Sequence, residues 1–296
     1  MKNKQVKVKT PAKINLTLEI ENKREDGFHN IKSIMQTIDI FDFLTISAEI
    51  IKSEKNIIEL SGNSDLIPYD SSNLIYKAAE KFLEAIQLQN TKIKIYLEKN
   101  IPIAAGLAGG SSDAAGTLVG LNKLFDNVLP MSEIHNIAAQ LGSDLNFCIE
   151  GGVQLATSRG EILTKTEGNA KLKFIVVKPK NLSVATKEAY GKYAALKDKP
   201  QNKKTDKMME CFAKNPSSEN VAKLLNNEFE TVILKDYPLI KQVKDKLIQA
   251  GCLNAIMSGS GPTVFGVVNN NIKVDFDSDF EVFYSKSINY GSKVVD

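Results

Sequence analysis

Cysteine is scarce in this chain, with only Cys148, Cys211 and Cys252. The number is odd and no pair has CxxC-type spacing, which argues against a disulfide framework or a zinc site and for a reducing compartment. An excess of one charge is also missing. Lysine and arginine total 38 against 35 acids, a net charge of +3, and the lysines are scattered among acids, as where Asp245 stands between Lys244 and Lys246. That is the pattern of a solvated surface, so no nucleic-acid partner is expected. No apolar run approaches the roughly 18 residues that a membrane span needs. The basic residues 1–9 are not followed by the apolar segment of a signal peptide. These absences predict a soluble, cytoplasmic protein with neither nucleic acid nor membrane as a partner.

What is present is an ordinary globular balance, 43% hydrophobic and 25% charged, in a chain long enough for two domains at about 150 residues each. Val6, Val8, Ala12, Ile14, Leu16, Leu18 and Ile20 alternate with Lys7, Lys9, Lys13, Asn15, Thr17 and Glu19. Period two predicts a half-buried strand interrupted at Pro11, with Lys13 and Asn15 together on the face opposite the core. Asp26 and Gly27 mark a turn, and extended stretches follow at 34–40, 44–50 and 93–97. Asn73 caps a predicted helix whose inner face is Ile75, Ala78, Ala79, Phe82 and Ile86. A second helix starts around 111–113, and a third runs from the cap candidate Ser132 to Gly142. Beyond Gly151 and Gly152, strands are read at 172–177 and 281–288, with a strand–glycine turn–strand unit over 255–268. Helices are read at 187–196, 219–233 and 239–250, and a loop at 197–207 around Pro200. No internal repeat is visible. Strands mixed with helices, without regular βαβ alternation, predict an α+β architecture in two lobes.

The most informative stretch is residues 101–115, IPIAAGLAGGSSDAA. A strand leads into a glycine-dense loop that opens directly into a helix. Gly106, Gly109 and Gly110 allow φ > 0 and close approach of backbone to a ligand. The free N–H groups of the helix's first turn add the positive end of its dipole, a combination that binds phosphate. Ser111 and Ser112 add hydroxyls within reach of a phosphate oxygen or a magnesium-bound water. The loop has neither the GK[ST] of a Walker loop nor GxGxxG. A plain glycine connector is the competing reading, and the serine pair at a helix start favours the phosphate site.

Residues 102–115 resemble the phosphate-binding motif of the GHMP kinases, the superfamily of galactokinase, homoserine kinase and mevalonate kinase. PAKINL at 11–16 resembles the N-terminal motif of that superfamily, and MSGSGPTVF at 257–265 its C-terminal glycine motif. Within it, PAKINL followed by REDGFH at 24–29, together with LGSDLNF at 141–147, is similar to the 4-diphosphocytidyl-2-C-methyl-D-erythritol kinases. The resemblance spans nearly the whole chain. It implies a ribosomal protein S5 domain 2-like N-terminal lobe, the ATP-binding domain over 1–158, and a ferredoxin-like C-terminal lobe over 159–296. It implies ATP and Mg2+ as cofactors, and transfer of the γ-phosphate to the 2-hydroxyl of a cytidine diphosphate methylerythritol acceptor in the non-mevalonate route to isoprenoid precursors.

Residue by residue, the resemblance implies that Lys13 and Asp144 are the catalytic pair, the aspartate facing the acceptor hydroxyl. Read alone, Lys13 is a strand lysine and Asp144 a turn residue just past a helix end, where the dipole disfavours its charge and a neighbouring Lys13 would restore it. Pro102, Ile103, Ala104, Ala105, Gly106, Leu107, Ala108, Gly109, Gly110, Ser111 and Ser112 form the implied ATP loop. Asn15, Phe28, His29, Thr186 and Tyr190 form the implied acceptor set, with Phe28 and Tyr190 sandwiching the cytosine and His29 on its edge. Phe28 stands where the family usually has tyrosine, and Asn146 where proline is common. Ala104 and Ala108 stand where glycine is frequent, which predicts φ < 0 there. Another GHMP kinase, for homoserine or mevalonate, is the nearest alternative, and a base-binding pair such as Phe28 and His29 argues against it. A silent sensor on the same fold would lack the lysine or the aspartate, and both are present.

Overall fold

The computed structural model describes residues 4–53, 55–201 and 203–295; residues 1–3 and 296, at the outer ends of the two expected domains, lie outside these. The strand predicted to break at Pro11 runs through it. β1 (Lys4–Lys23) turns at Gly27 into β2 (His29–Ile50), and the two pair antiparallel along their length, Lys13 opposite Thr37 and Asn15 opposite Met35. Proline cannot donate to the ladder, and the register accordingly shifts between Pro11 and Ala12. β3 (Ile57–Gly62), α1 (Leu74–Ala85) and β4 (Thr91–Glu98) follow. Asn73 caps α1 as predicted, its side chain accepting from the Ile75 N–H at 2.9 Å. α2 (Gly109–Leu124) then lies close against the first strands. A Cβ on Gly116 would come within 2.2 Å of Thr10, and one on Gly120 within 2.7 Å of Val8 and Ile46, so these glycines set the depth at which the helix packs.

α3 (Met131–Leu141) begins a residue before the predicted cap, because Pro130, fixed at φ −66°, takes the N-cap position and leaves Ser132 inside the first turn. α4 (Leu145–Glu150) was not anticipated, and it starts immediately after Asp144. β5 (Val153–Thr157) and β6 (Ile162–Lys165) form a hairpin whose turn holds residue 158, so the expected domain boundary falls inside it. The remainder is β7 (Lys173–Pro179), α5 (Thr186–Ala194), α6 (Thr205–Lys214), α7 (Ser218–Leu224), β8 (Asn226–Asn227), α8 (Glu230–Asp236), α9 (Pro238–Gln249), β9 (Asn254–Met257), β10 (Val264–Val268), β11 (Phe280–Lys286) and β12 (Lys293–Val295).

Two sequence expectations fail here for one reason, polar anchors far away in the chain. The single helix read at 219–233 is split into α7 and α8. Asn227 donates to the Met257 and Gly259 carbonyls, and buried Glu228 accepts from the Ile20 N–H, which hold the intervening residues extended beside β1. The loop read at 197–207 ends early, because Glu19 accepts from the Thr205 N–H at 2.8 Å and from that of Lys204, which caps α6 from 186 residues away.

The strands make a mixed eight-stranded sheet, ordered β12-β1-β2-β4-β3 with β5, β6 and β8 attached, and an antiparallel four-stranded sheet ordered β11-β7-β10-β9. α1 to α4 cover the first sheet around Val8, Leu44, Ile95, Phe82 and Leu118. The lobes share a core as well: Ile14, Leu16, Ile34 and Ile38 of the first sheet cluster with Phe174, Val176 and Phe265 of the second. A further difference from the sequence reading lies on the same strand. Lys13 and Asn15 do share a face, but it is covered, and they are 5% and 2% exposed. Ile14 and Leu16, which alternate with them, enter the shared core, while Lys13 and Asn15 turn to the other side of the strand, beside Asp144, Ser33 and Gly259 at the seam between the lobes.

Candidate active site

A cavity of about 560 Å³ opens along this seam. Lys13 and Asn15 lie on its floor, and β1 is sewn to the glycine loop at this point by a hydrogen bond from the Lys13 N–H to the Leu107 carbonyl, 3.1 Å. The Lys13 ammonium donates to Asn15 Oδ1 at 2.7 Å and lies 3.6 Å from Asp144 Oδ2. Asn15 in turn donates to Ser33 Oγ at 2.8 Å, which fixes its amide so that the oxygen faces the lysine. The lysine side chain is 6% exposed and that of the aspartate 29%, so the carboxylate is the partner that meets the cavity. Asp144 does follow α3, as the sequence implied, but it is also the N-cap position of α4. The expected dipole penalty from the helix before it is therefore met by the opposite end of the helix after it.

The glycine loop forms one wall. Gly106 has φ +75°, and a Cβ there would fall 2.3 Å from the Ser258 carbonyl. Ser258 Oγ donates to the Gly106 carbonyl at 3.0 Å, so the C-terminal glycine motif packs directly on the loop. Gly109 and Gly110 are not at positive φ, as was expected, but form the first turn of α2. A Cβ on Gly110 would meet no protein atom within 4 Å, so this position opens into the cavity. Ala104 and Ala108 reverse the expectation made for them: both are left-handed, at φ +52° and +55°. An L-residue there costs about 1–2 kcal/mol, which explains why glycine is the easier residue at these positions. Ala108→Gly should accordingly stabilise the fold by about 1 kcal/mol, less the packing its methyl provides. Thermal unfolding checks this, and a lower Tm would mean that the methyl outweighs the strain.

Of the implied ATP loop, Pro102, Ile103, Ala104, Ala105, Gly106, Ala108, Gly109, Gly110 and Ser111 line the cavity. Two do not. Ser112 is fully buried and donates to the Pro11 carbonyl at 2.7 Å, so its hydroxyl ties α2 to β1 instead of reaching a phosphate. Leu107 is turned into the shared core. Below the loop lies a cluster that the sequence reading missed: the Lys99 ammonium sits between the carboxylates of Asp42 and Asp113. Burial pushes the Asp113 carboxyl up to about 8, against the opposing pull of the Lys99 ammonium.

Phe28, His29, Thr186 and Tyr190 gather at the other end, as the sequence implied, but not as an open sandwich. His29 itself stacks on Tyr190, with centroids 5.0 Å apart and planes 13° from parallel, and Tyr190 rests edge-on against Phe229. Phe28 stands 54% exposed with the Arg159 guanidinium 5.3 Å over its ring. Burial, with Lys199 and Lys23 nearby, lowers the His29 pKa, so the imidazole is neutral at neutral pH and offers one donor and one acceptor. Burial and the Asp144 charge push the Tyr190 hydroxyl up to about 12. Thr186 and Ser260, both of the second lobe, share a hydrogen bond of 3.1 Å. Arg159 also lines the cavity and was not anticipated, since only the fold brings the β5–β6 turn beside Phe28. Among the described residues no cluster of three or more His, Cys, Asp or Glu could cage a metal, and no helix is long and apolar enough to cross a membrane.

Comparison with known proteins identifies the family. Residues 73–154 match the GHMP kinases N terminal domain and residues 208–277 the GHMP kinases C terminal domain. The chain is 40% identical over 262 residues to the 4-diphosphocytidyl-2-C-methyl-D-erythritol kinase of Syntrophomonas wolfei, covering 88% of each chain. It is 41% identical over 266 residues to that of Alkaliphilus oremlandii, covering 89% of this chain and 88% of the other. A crystal structure of 4-(cytidine 5'-diphospho)-2C-methyl-D-erythritol kinase superimposes with a TM-score of 0.69 at 28% identity, over 88% of this chain and 89% of that one. Homoserine kinase from Cytophaga hutchinsonii superimposes with a TM-score of 0.76 over 98% and 97%, but at 18% identity, which speaks to the fold alone. The chain belongs to the GHMP kinases and, among them, to the 4-diphosphocytidyl-2-C-methyl-D-erythritol kinase family.

Proposed function

We propose that this protein transfers the γ-phosphate of ATP to the 2-hydroxyl of 4-(cytidine 5'-diphospho)-2-C-methyl-D-erythritol, in the non-mevalonate route to isoprenoid precursors. The observation that carries the reading is the buried Lys13 ammonium 3.6 Å from Asp144, between a glycine loop and an aromatic cluster in one cavity. Phosphoryl transfer asks the protein chiefly to align two oxygens in line and to stabilise spread negative charge. Asp144 accepts the proton of the acceptor hydroxyl as its oxygen attacks phosphorus. Lys13 offsets the charge gathering on the transferred group, and Asn15 holds the ammonium at that point. The N–H groups of the first turn of α2 receive the triphosphate, with Gly110 giving it room. With no carboxylate cage among the described residues, the chain suits a magnesium ion held mainly by triphosphate oxygens and water. At the far end the exposed Phe28 ring offers a stacking surface for the cytosine, neutral His29 offers its ring edge, and Arg159 offers a cation to the diphosphate.

The nucleotide half is tested at Gly110. Its backbone is helical, so valine brings no backbone strain, and the new side chain points into the cavity. Gly110→Val should raise the Kd for ATP by about tenfold or more while Tm stays within about 2 °C, because the fold loses no contact. An unchanged ATP affinity in the folded variant would return this loop to a plain connector.

A further inference from the structure

We propose that Asp42, Lys99 and Asp113 form a buried ionic pin that holds the glycine loop in its nucleotide-binding position, with Asp42 as a positioning residue. The inference rests on the reading that this loop receives the phosphates of ATP. The three side chains are almost completely withdrawn from water, 0% exposed for Asp42, 6% for Lys99 and 2% for Asp113. A buried ion cluster contributes little net stability compared with apolar packing, because desolvating each charge costs about what the attraction returns. What it does supply is direction, and here the directions converge on the two ends of one loop.

At the upstream end, Asp42 on β2 accepts through Oδ1 from two consecutive backbone N–H groups, those of Asn100 and Ile101, the latter at 2.7 Å. These residues are the last before the loop begins at Pro102. Through Oδ2 the same carboxylate accepts from the Lys99 ammonium. At the downstream end, Asp113 lies in the second turn of α2, and its Oδ2 accepts from the same ammonium at 2.7 Å. Its Oδ1 accepts from the Thr10 hydroxyl at 3.2 Å, which adds β1 to the arrangement. One cation therefore spans the start and the end of the loop. It also sits directly under the turn read as the phosphate cradle, since a Cβ on Gly109 would approach Lys99 Nζ to 2.8 Å. Burial pushes the Asp113 carboxyl up to about 8 against the pull of the Lys99 ammonium. Asp42 makes three of the hydrogen bonds, two to the loop's backbone and one to the shared ammonium.

Steady-state kinetics and direct ATP binding test the pin. Asp42→Asn keeps an oxygen for the two backbone N–H groups but turns an amide donor toward the Lys99 ammonium. It should raise the KM and Kd for ATP by about tenfold, with kcat at saturating ATP and the acceptor KM within about threefold. Asp113→Leu should act in the same sense, and Asp113→Asn, which restores an acceptor for Lys99, should recover most of that loss. If Asp42→Asn does not fold, Lys99→Met carries the same expectation. The pin is overturned if the folded Asp42 or Lys99 variant binds ATP normally, or if kcat and both KM values deteriorate together, as general destabilisation would produce. Gly110→Val separates the two levels. Normal ATP binding in that variant removes the loop reading itself, whereas a loss there with none in Asp42→Asn removes only the pin.

Discussion

Asp144→Asn should lower kcat by about 10²–10⁴-fold, the usual contribution of a positioned general base, with both KM values within a few-fold. The substitution keeps shape and volume and removes the proton acceptor together with the negative charge. Stability should change little, because the side chain is 29% exposed and makes no cap hydrogen bond to α4. Lys13→Met keeps most of the stem and deletes the cation. It should also cut kcat, although here the fold gives up the hydrogen bond to Asn15. The two groups lie 3.6 Å apart in one cavity, and under the proposed function they act on one reacting centre as a unit. The double variant should therefore be little slower than the poorer single one. Near-normal turnover in folded Asp144→Asn would make this residue a simple connector between α3 and α4. Losses that multiply in full would mean that the two residues act on separate steps.

The second large effect concerns the acceptor. Stacking of a base on an aromatic ring is worth about 1–3 kcal/mol, and a hydrogen bond to a charged group about 1.5–3 kcal/mol. Phe28 and Arg159 would supply these to the cytosine and the diphosphate. Removing both contacts by truncating the acceptor to methylerythritol should cost about 10²–10⁴-fold in kcat/KM. Part of that loss should fall on kcat, since binding far from the reacting hydroxyl is what orients it. Phe28→Ala should remove only the stacking share, seen as a higher acceptor KM with the ATP KM unchanged. A higher ATP KM instead would mean that the aromatic end belongs to the nucleotide.

Legibility in the sequence followed the range of the forces involved. The extended stretches were readable because alternation is local, from Val6 to Ile20 and again through Leu44 and Ile46, whereas their continuity through Pro11 and their pairing into one long hairpin were not. Lys13 and Asn15 were placed on one face correctly, but their burial comes from groups distant in the chain, Ser33, Asp144 and Gly259, which no period-two pattern can register. Asn73 announced α1 because its cap lies two residues from its target, whereas α6 is capped by Glu19 from across the molecule. The phosphate loop was legible as composition and not as conformation. Its left-handed residues proved to be Ala104 and Ala108 as well as Gly106, and its glycine pair proved helical. Ser112 looked equivalent to Ser111 until packing turned it to the Pro11 carbonyl. The pairing of Lys99 with Asp42 and the position of Arg159 over Phe28 join residues 57 and 131 positions apart, so only the fold could bring them together.

Passage of phosphate from ATP to a hydroxyl of the cytidine-bearing acceptor can be followed directly. The direct measurement is transfer from γ-labelled ATP to 4-(cytidine 5'-diphospho)-2-C-methyl-D-erythritol, homoserine, mevalonate and galactose in parallel, with the phosphorylated carbon located by NMR. Label is expected on the 2-hydroxyl of the cytidyl compound, with kcat/KM for each of the others lower by at least about 10³-fold. Comparable kcat/KM on homoserine or mevalonate, or label elsewhere on the cytidyl acceptor, would contradict the proposed function.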